Sequence, residues 1–294
     1  MTISRCIVGL IAAAIAQWIW SSLALAQSPA SPGPEMTQAC PGLVADGRAK
    51  VVPAAWRMNA LNLGAGNSGA FNLTALNSEQ VRLTFLGHAT FLIESPQLVR
   101  IATDYNDYVK PPVLPDIATM NHAHDTHYTD HPDPRIRYVL RGWAGNEKPA
   151  RIDLTYKDVH VRNVPTNIRN WNGGTERYGN SIFIFEIAGL CIAHLGHLHH
   201  TLTPQQLAEI GRVDVVLAPV DGSYTLDLDG MVEVLDALKA PLIIPMHFFG
   251  SYTLERFLDR MRESRVVEEA DVPSRVLSRA TLPSKPTVLV LPGH

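Results

Sequence analysis

The sequence predicts an α/β (α+β) fold in which two mixed β-sheets pack face to face between helical layers, and three observations carry that expectation. Short strand-like runs dominate the first half and recur in the second. Amphipathic helical stripes enter only in the second half, where they can cover the outer faces of sheets. At 294 residues and 46% apolar content, the chain can bury a sizeable core, as one large domain or two small ones.

Along the chain, the first 26 residues read as addressing. Arg5 gives a short positive start, Ile7 to Trp20 form an apolar stretch short for a membrane span, and Ala24-Leu25-Ala26 before Gln27 has the small-x-small form of a signal-peptidase site. The competing reading is an uncleaved anchor. The expectation is a signal peptide over 1–26, cleaved near Ala26, and a bacterial periplasmic or secreted protein with no stable membrane anchor. Residues 27–47 open with Ser, Pro and Ala and read as a flexible segment, and residues 48–294 read as a single domain.

Val81 to Leu86 alternates with period two, Thr90 to Ile93 follows a Gly-His-Ala break, and Leu98 to Ala102 comes next, so three short strands with hairpin-like links are expected. Further strands are expected at Ile117 to Met120, Arg137 to Leu140, Val159 to Val164, Ser181 to Ile187, Leu190 to His194, Val213 to Pro219, Leu242 to Pro245 and Thr287 to Leu291. Thr203, Pro204 and Gln206 form a helix-start signal, with Gly211 as a stop. Met231, Val234, Leu235 and Leu238, and then Leu254, Phe257, Leu258 and Met261, repeat the i, i+3, i+4, i+7 stripe of core-facing helices.

Composition narrows the function classes. The net charge is −3 and no long run of like charge occurs, which gives no basis for binding nucleic acid or acidic membranes. Cys6 leaves with the signal, so Cys40 and Cys191 remain. A disulfide between them is allowed in an oxidising compartment but not implied by spacing, and the expected state is a buried Cys191 acting as a small apolar residue. No Cys-x-x-Cys, Gly-x-Ser-x-Gly, P-loop or Gly-x-Gly-x-x-Gly pattern is present, so thiolate metal sites, covalent serine chemistry and nucleotide cofactors have no support.

Histidine carries the chemistry. His122, His124 and His127 follow a strand-like run, and imidazoles two apart on extended backbone point to one side, with a third able to converge as the chain turns. His194, His197, His199 and His200 follow another strand, and His247 ends Leu242-Ile-Ile-Pro-Met-His. Three clusters at strand ends can gather at one sheet edge, where sites in mixed α/β folds are assembled. His131, His160 and His294 lie outside these clusters and read as structural or solvated.

Gly87-His88-Ala89-Thr90, Asp104 after a strand, His122-x-His124-x-x-His127, His194-Leu195-Gly196, Pro219 to Thr225 and Ile244-Pro-Met-His247 follow in the order seen in the metallo-β-lactamase superfamily. The chain resembles that superfamily from roughly Val81 to Gly250, nearest the branch that includes the L-ascorbate-6-phosphate lactonases and N-acyl phosphatidylethanolamine phospholipase D. The resemblance implies a four-layer αββα sandwich with one or two metal ions, usually zinc, at the strand edge. Three positions depart from the pattern. Thr126 stands where the superfamily's His-x-His-x-Asp-His has its aspartate, His197 stands where relatives carry a carboxylate that often bridges two metals, and Asn167 to Asn172 supplies no histidine.

Two adjacent cations need anionic ligands between them, so the resemblance, with these departures, implies one zinc rather than two; iron and manganese are also compatible. The expected ligands are His122, His124 and His197, completed by His247 or water, with His127 as a further ligand or proton carrier. Asp104 and Asp125 are expected to orient ligand rings, with His88 and His194 behind them, and His200 to contact substrate in preference to His199. Asp221 and Tyr224 are candidates for the pocket wall. The chemistry implied is hydrolysis of a small-molecule lactone, ester or phosphodiester by metal-activated water, with His127, His200 and Asp125 as catalytic groups. A non-catalytic metal-binding protein and a mononuclear iron oxidoreductase are the alternatives.

Overall fold

The structure, a computed structural model, describes Cys40, residues 75–170 and residues 172–293. The expected signal peptide, the segment over 27–47 apart from Cys40, and His294 lie outside the described residues. The first strands are β1 (Val81–Gly87), β2 (Thr90–Glu94), β3 (Arg100–Ala102), β4 (Ile117–Met120), β5 (Tyr138–Arg141), β6 (Asp153–Tyr156), β7 (Val159–Arg169), β8 (Thr175–Ile187) and β9 (Leu190–His194). Helix α1 (Pro204–Ile210), β10 (Val215–Pro219), α2 (Leu228–Leu238), β11 (Leu242–Met246), α3 (Ser251–Met261), β12 (Val266–Glu269), β13 (Ser274–Leu277) and β14 (Thr287–Val290) follow.

These strands form the two expected mixed sheets. One has six strands in the order β13-β1-β2-β3-β4-β5, the other eight in the order β12-β14-β11-β10-β9-β8-β7-β6. In β1, Val81, Leu83 and Phe85 are buried while Arg82 and Thr84 face outward, the consequence of a two-residue period on a sheet with one face in the core. The inner faces meet in one cluster in which Leu83, Phe91, Ile93 and Ile101 pack with Phe183, Phe185, Leu217 and Ile244. Truncating a fully buried phenyl such as Phe183 to alanine should cost about 3–5 kcal/mol.

The helices close the other side of the eight-stranded sheet. Ile210 of α1, Met231 and Leu235 of α2, and Phe257 and Leu258 of α3 pack with Ile184, Ala193, Val216 and Ile243. Helix α1 has the expected capping box between Thr203 and Gln206, and α2 is capped by Asp227. The outer face of the six-stranded sheet is covered partly by Tyr105, Tyr128, Ile136 and Trp143, which lie outside the regular elements. That agrees with the lack of a helical stripe in the first half of the chain.

Strands β6, β12 and β13 were not among the expected ones, and β8 begins at Thr175 rather than Ser181. Each added segment is largely solvent-facing, so pairing to a neighbour, not an apolar pattern, defines it. The cysteine expectation needs correction. Cys191 is buried, but it is bonded to Cys40 with Cα atoms 5.8 Å apart, a proximity created by folding across 151 residues.

Topology places the strand ends together. β9, β10 and β11 are parallel neighbours, as are β3, β4 and β5, so within each sheet the segments following those strands leave from one edge.

Candidate metal centre

Six segments at that edge supply the centre. His88 lies in the turn between β1 and β2, Asp104 just after β3, His124 and His127 after β4, His197 after β9, Asp221 after β10 and His247 after β11. His88, Asp104 and His247 have φ of 51°, 43° and 55°, a left-handed conformation that side chains with a Cβ adopt at a cost and that clusters at functional sites. The His247 N–H donates to the His88 carbonyl at 2.7 Å, tying the turn of one sheet to the strand end of the other. Gly196 has φ of 61°, and a Cβ there would collide with Asn180 and Asn121. Both amides serve the centre: Asn180 accepts the His197 N–H, and Asn121 donates to Asp104.

The rings converge. Centroids of His127 and His197, of His197 and His247, and of His124 and His197 are each 4.7 Å apart, and those of His88 and His247 are 4.1 Å apart. One ligand atom from each of His88, His127 and His247 can lie within 4.8 Å of the others. Behind them, His127 Nδ1 is 2.6 Å from Asp104 Oδ2, and His247 Nδ1 is 3.0 Å from Asp221 Oδ1. Asp104 takes the His127 Nδ1–H, so that ring presents its Nε2 lone pair inward, whereas Asp221 faces His247 Nδ1 at ion-pair distance and leaves that nitrogen without a hydrogen bond.

The Nε2 atoms of His127 and His247 are 3.2 Å apart. A proton shared in an N–H···N hydrogen bond satisfies that distance, and so does a shared cation, since two nitrogens at about 2.0–2.1 Å on a tetrahedral zinc would be separated by about 3.3 Å. His197 Nδ1 lies 2.8 Å from His127 Nε2, and its own Nε2 is buried with no hydrogen-bond partner. A neutral nitrogen donor set around an orphaned buried atom fits a borderline-soft divalent cation.

Electrostatics favour neutral rings at His88, His127 and His197. Burial, followed by the neighbouring His247, holds His127 well below its usual value and His88 at about 3; burial, followed by His127, does the same to His197. Burial pushes the Asp104 carboxyl up to about 6, against the pull of His194 and the Asn121 bond, so it is ionised at neutral pH. For Asp221, burial opposes ionisation, but the facing His247 and bonds from Thr225 and Ser223 outweigh it and hold the carboxyl well below the usual carboxylate range.

The remaining sequence candidates are placed differently. His122 Nδ1 bonds Glu176 at 2.7 Å, and its ring packs on Tyr128 and Trp143, with no histidine among its ring contacts within the described residues. The loop explains this: His127 N–H donates to the His124 carbonyl and Asn121 N–H to the His127 carbonyl, so the backbone is turned, not extended, and residues two apart diverge. Asp125 is exposed and accepts from the Tyr108 hydroxyl at 2.6 Å. His194 is satisfied on both nitrogens, by the Ala89 carbonyl and the Gly196 N–H. His200 is exposed; His199 is buried and accepts the Arg169 N–H on Nδ1, which leaves its Nε2 carrying hydrogen with no partner. Glu176 had no sequence signal, whereas Asp221 heads an Asp-Gly-Ser turn directly after a buried strand.

A two-sheet sandwich with buried imidazoles gathered where parallel strands end defines a metal-site protein. The chain belongs to the metallo-β-lactamase superfamily: the family model described as the beta-lactamase superfamily domain matches residues 82–247. It is 27% identical over 191 residues to a UPF0173 metal-dependent hydrolase of Thermoplasma acidophilum, covering 58% of this chain and 84% of that protein. With one from Archaeoglobus fulgidus the identity is 24% over 221 residues, or 67% and 96% of the two chains. A crystal structure from Thermotoga maritima, of a proposed zinc-dependent hydrolase of the metallo-beta-lactamase superfamily, matches with a TM-score of 0.53 and 29% identity over 73% of this chain and all of that one.

Proposed function

We propose that this chain is a metal-dependent hydrolase whose cation is held by His127, His197 and His247, with His88 and His124 beside them. The observation that carries the reading is the pair of Nε2 atoms 3.2 Å apart, each on a ring whose other nitrogen faces a buried carboxylate, together with the unpartnered buried Nε2 of His197 beside them. All-nitrogen donors favour zinc over iron, because Asp104 accepts from His127 and Asn121, Asp221 accepts from Tyr224 and Thr225, and Asp125 is held outside by Tyr108. Bound there, zinc supplies Lewis acidity and a water nucleophile that ionises near pH of about 7.

The chain's own residues do the rest. Asp104 fixes the His127 tautomer and keeps its Nε2 lone pair turned inward, and Asp221 sets a negative charge 3.0 Å from His247 Nδ1. His199 offers Nε2–H from a buried position 4.7 Å, ring to ring, from His197, where it can donate to an oxygen gaining charge. His124, half-buried, flanks His197 at the mouth and can carry a proton. A lactone, ester or phosphodiester suits this arrangement, and the resemblance to the lactonase and phospholipase D branch supports the same choice. The Cys40–Cys191 bond and the leader pattern support an exported protein in an oxidising compartment.

The test is turnover of a panel of lactones and phosphodiesters by zinc-loaded protein, with loss on chelation and in His247→Ala as the expected result. Zinc retained without turnover across the panel would support the metal-binding alternative, which the loss of carboxylates at positions 126 and 197 favours.

A further inference from the structure

We infer that Phe249 and Tyr224 form an apolar rim that selects substrates carrying an aryl or apolar acyl group beside the bond to be broken. The inference rests on the metal-centre reading and adds a substrate class to it. Phe249 and Tyr224 are 58% and 56% exposed, and their rings are in edge contact at 5.5 Å. Exposed apolar side chains scattered singly need no explanation, but these two rings touch each other and one of them touches the centre. Phe249 lies edge-on to His247 at 5.3 Å and beside His88 at 5.8 Å.

The rim is held in place before any ligand arrives. Tyr224 N–H donates to Asp221 Oδ2 at 2.6 Å, so the carboxylate that faces His247 Nδ1 also fixes the turn presenting Tyr224. The Arg169 guanidinium clamps the same turn through the Ser223 and Thr225 carbonyls. Phe249 N–H donates to Thr253 Oγ1 in the first turn of α3. Ordering two exposed rings in advance lowers the cost of binding a flat apolar group. Because Arg169 is committed to backbone carbonyls, the rim offers aromatic faces and edges, matching an uncharged ring or acyl chain.

The experiment is calorimetric titration of zinc-loaded full-length protein with phenylphosphonate and methylphosphonate, two anions that differ only in the apolar group. Phenylphosphonate is expected to bind about tenfold more tightly. In Phe249→Ala, and separately in Tyr224→Ala, that ratio should fall to about twofold. In Leu98→Ala, an exposed site beyond the other end of β2, the ratio should stay as in the parent. Equal affinities in the parent, or a ratio that survives both ring deletions, overturn the rim while leaving the metal centre standing. If neither anion binds the loaded protein the rim falls, whereas failure of the protein to load zinc at all overturns the metal-centre reading on which it rests.

Discussion

Asp104→Asn isolates the carboxylate's role with almost no change of shape. Asp104 accepts from His127 Nδ1 at 2.6 Å on Oδ2 and from Asn121 Nδ2 at 2.9 Å on Oδ1, with no exposed surface. An amide has one accepting oxygen, so one of those donors must face an NH2 group. If the NH2 faces His127, the ring proton moves to Nε2 and the lone pair aimed at the cation is lost. If it faces Asn121, relief needs that amide to flip, but its Oδ1 already accepts the Ser181 N–H at 2.7 Å. The second arrangement leaves a buried donor unpaired, costing about 1–3 kcal/mol of stability, and the first sacrifices the ligand lone pair instead. Loss of a carboxylate behind a ligand histidine lowers metal affinity about 10- to 100-fold, or about 1.4–2.7 kcal/mol. Chelator competition reads the affinity, and urea unfolding of metal-free protein reads the stability. An affinity within about twofold of the parent would refute the reasoning.

Three further outcomes follow from named contacts. His122→Ala should leave the zinc content measured by elemental analysis unchanged, whereas His127→Ala should abolish it, because His122 is engaged by Glu176. Reducing the Cys40–Cys191 bond should lower unfolding free energy by about 2–5 kcal/mol, and Cys191→Ser should reproduce the loss in denaturation without reductant. The cluster of His160, Glu186 and Arg162 should give a pH signature. Burial opposes ionisation of Glu186, but bonds from His160 and Arg162 win and hold it at about 2, so its contribution is present above its ordinary value of 4.5 and is lost as pH falls towards 2. The Glu186 bond, against burial, raises His160, so that contribution is complete below 6.5 and is lost as pH rises through the raised value. Urea unfolding across pH should show both limbs, and Glu186→Gln should flatten them.

The fold was legible wherever burial imposes a period. β1 alternates because one face meets the core, β9 to β11 are buried throughout and apolar but for His194 because both faces are covered, and the stripes of α2 and α3 are the ones that pack. β12 and β13 were illegible because edge pairing requires no apolar pattern. At the centre, the grouping of histidines at strand ends could be read from the chain, but the direction of each ring could not. His122 and His124 are set by turn hydrogen bonds that leave no trace in residue spacing, and Glu176 reaches His122 from across the sequence, on β8. The disulfide was hidden for the same reason, since proximity across 151 residues is a product of the fold.

The central claim is that one cation joins His127 and His247 through Nε2. Anomalous diffraction at the zinc edge, on crystals of zinc-loaded protein, tests it most directly: the account predicts a single peak in bonding contact with both Nε2 atoms and with His197. A peak coordinated by His122 and leaving His127 and His247 bonded to each other would contradict it.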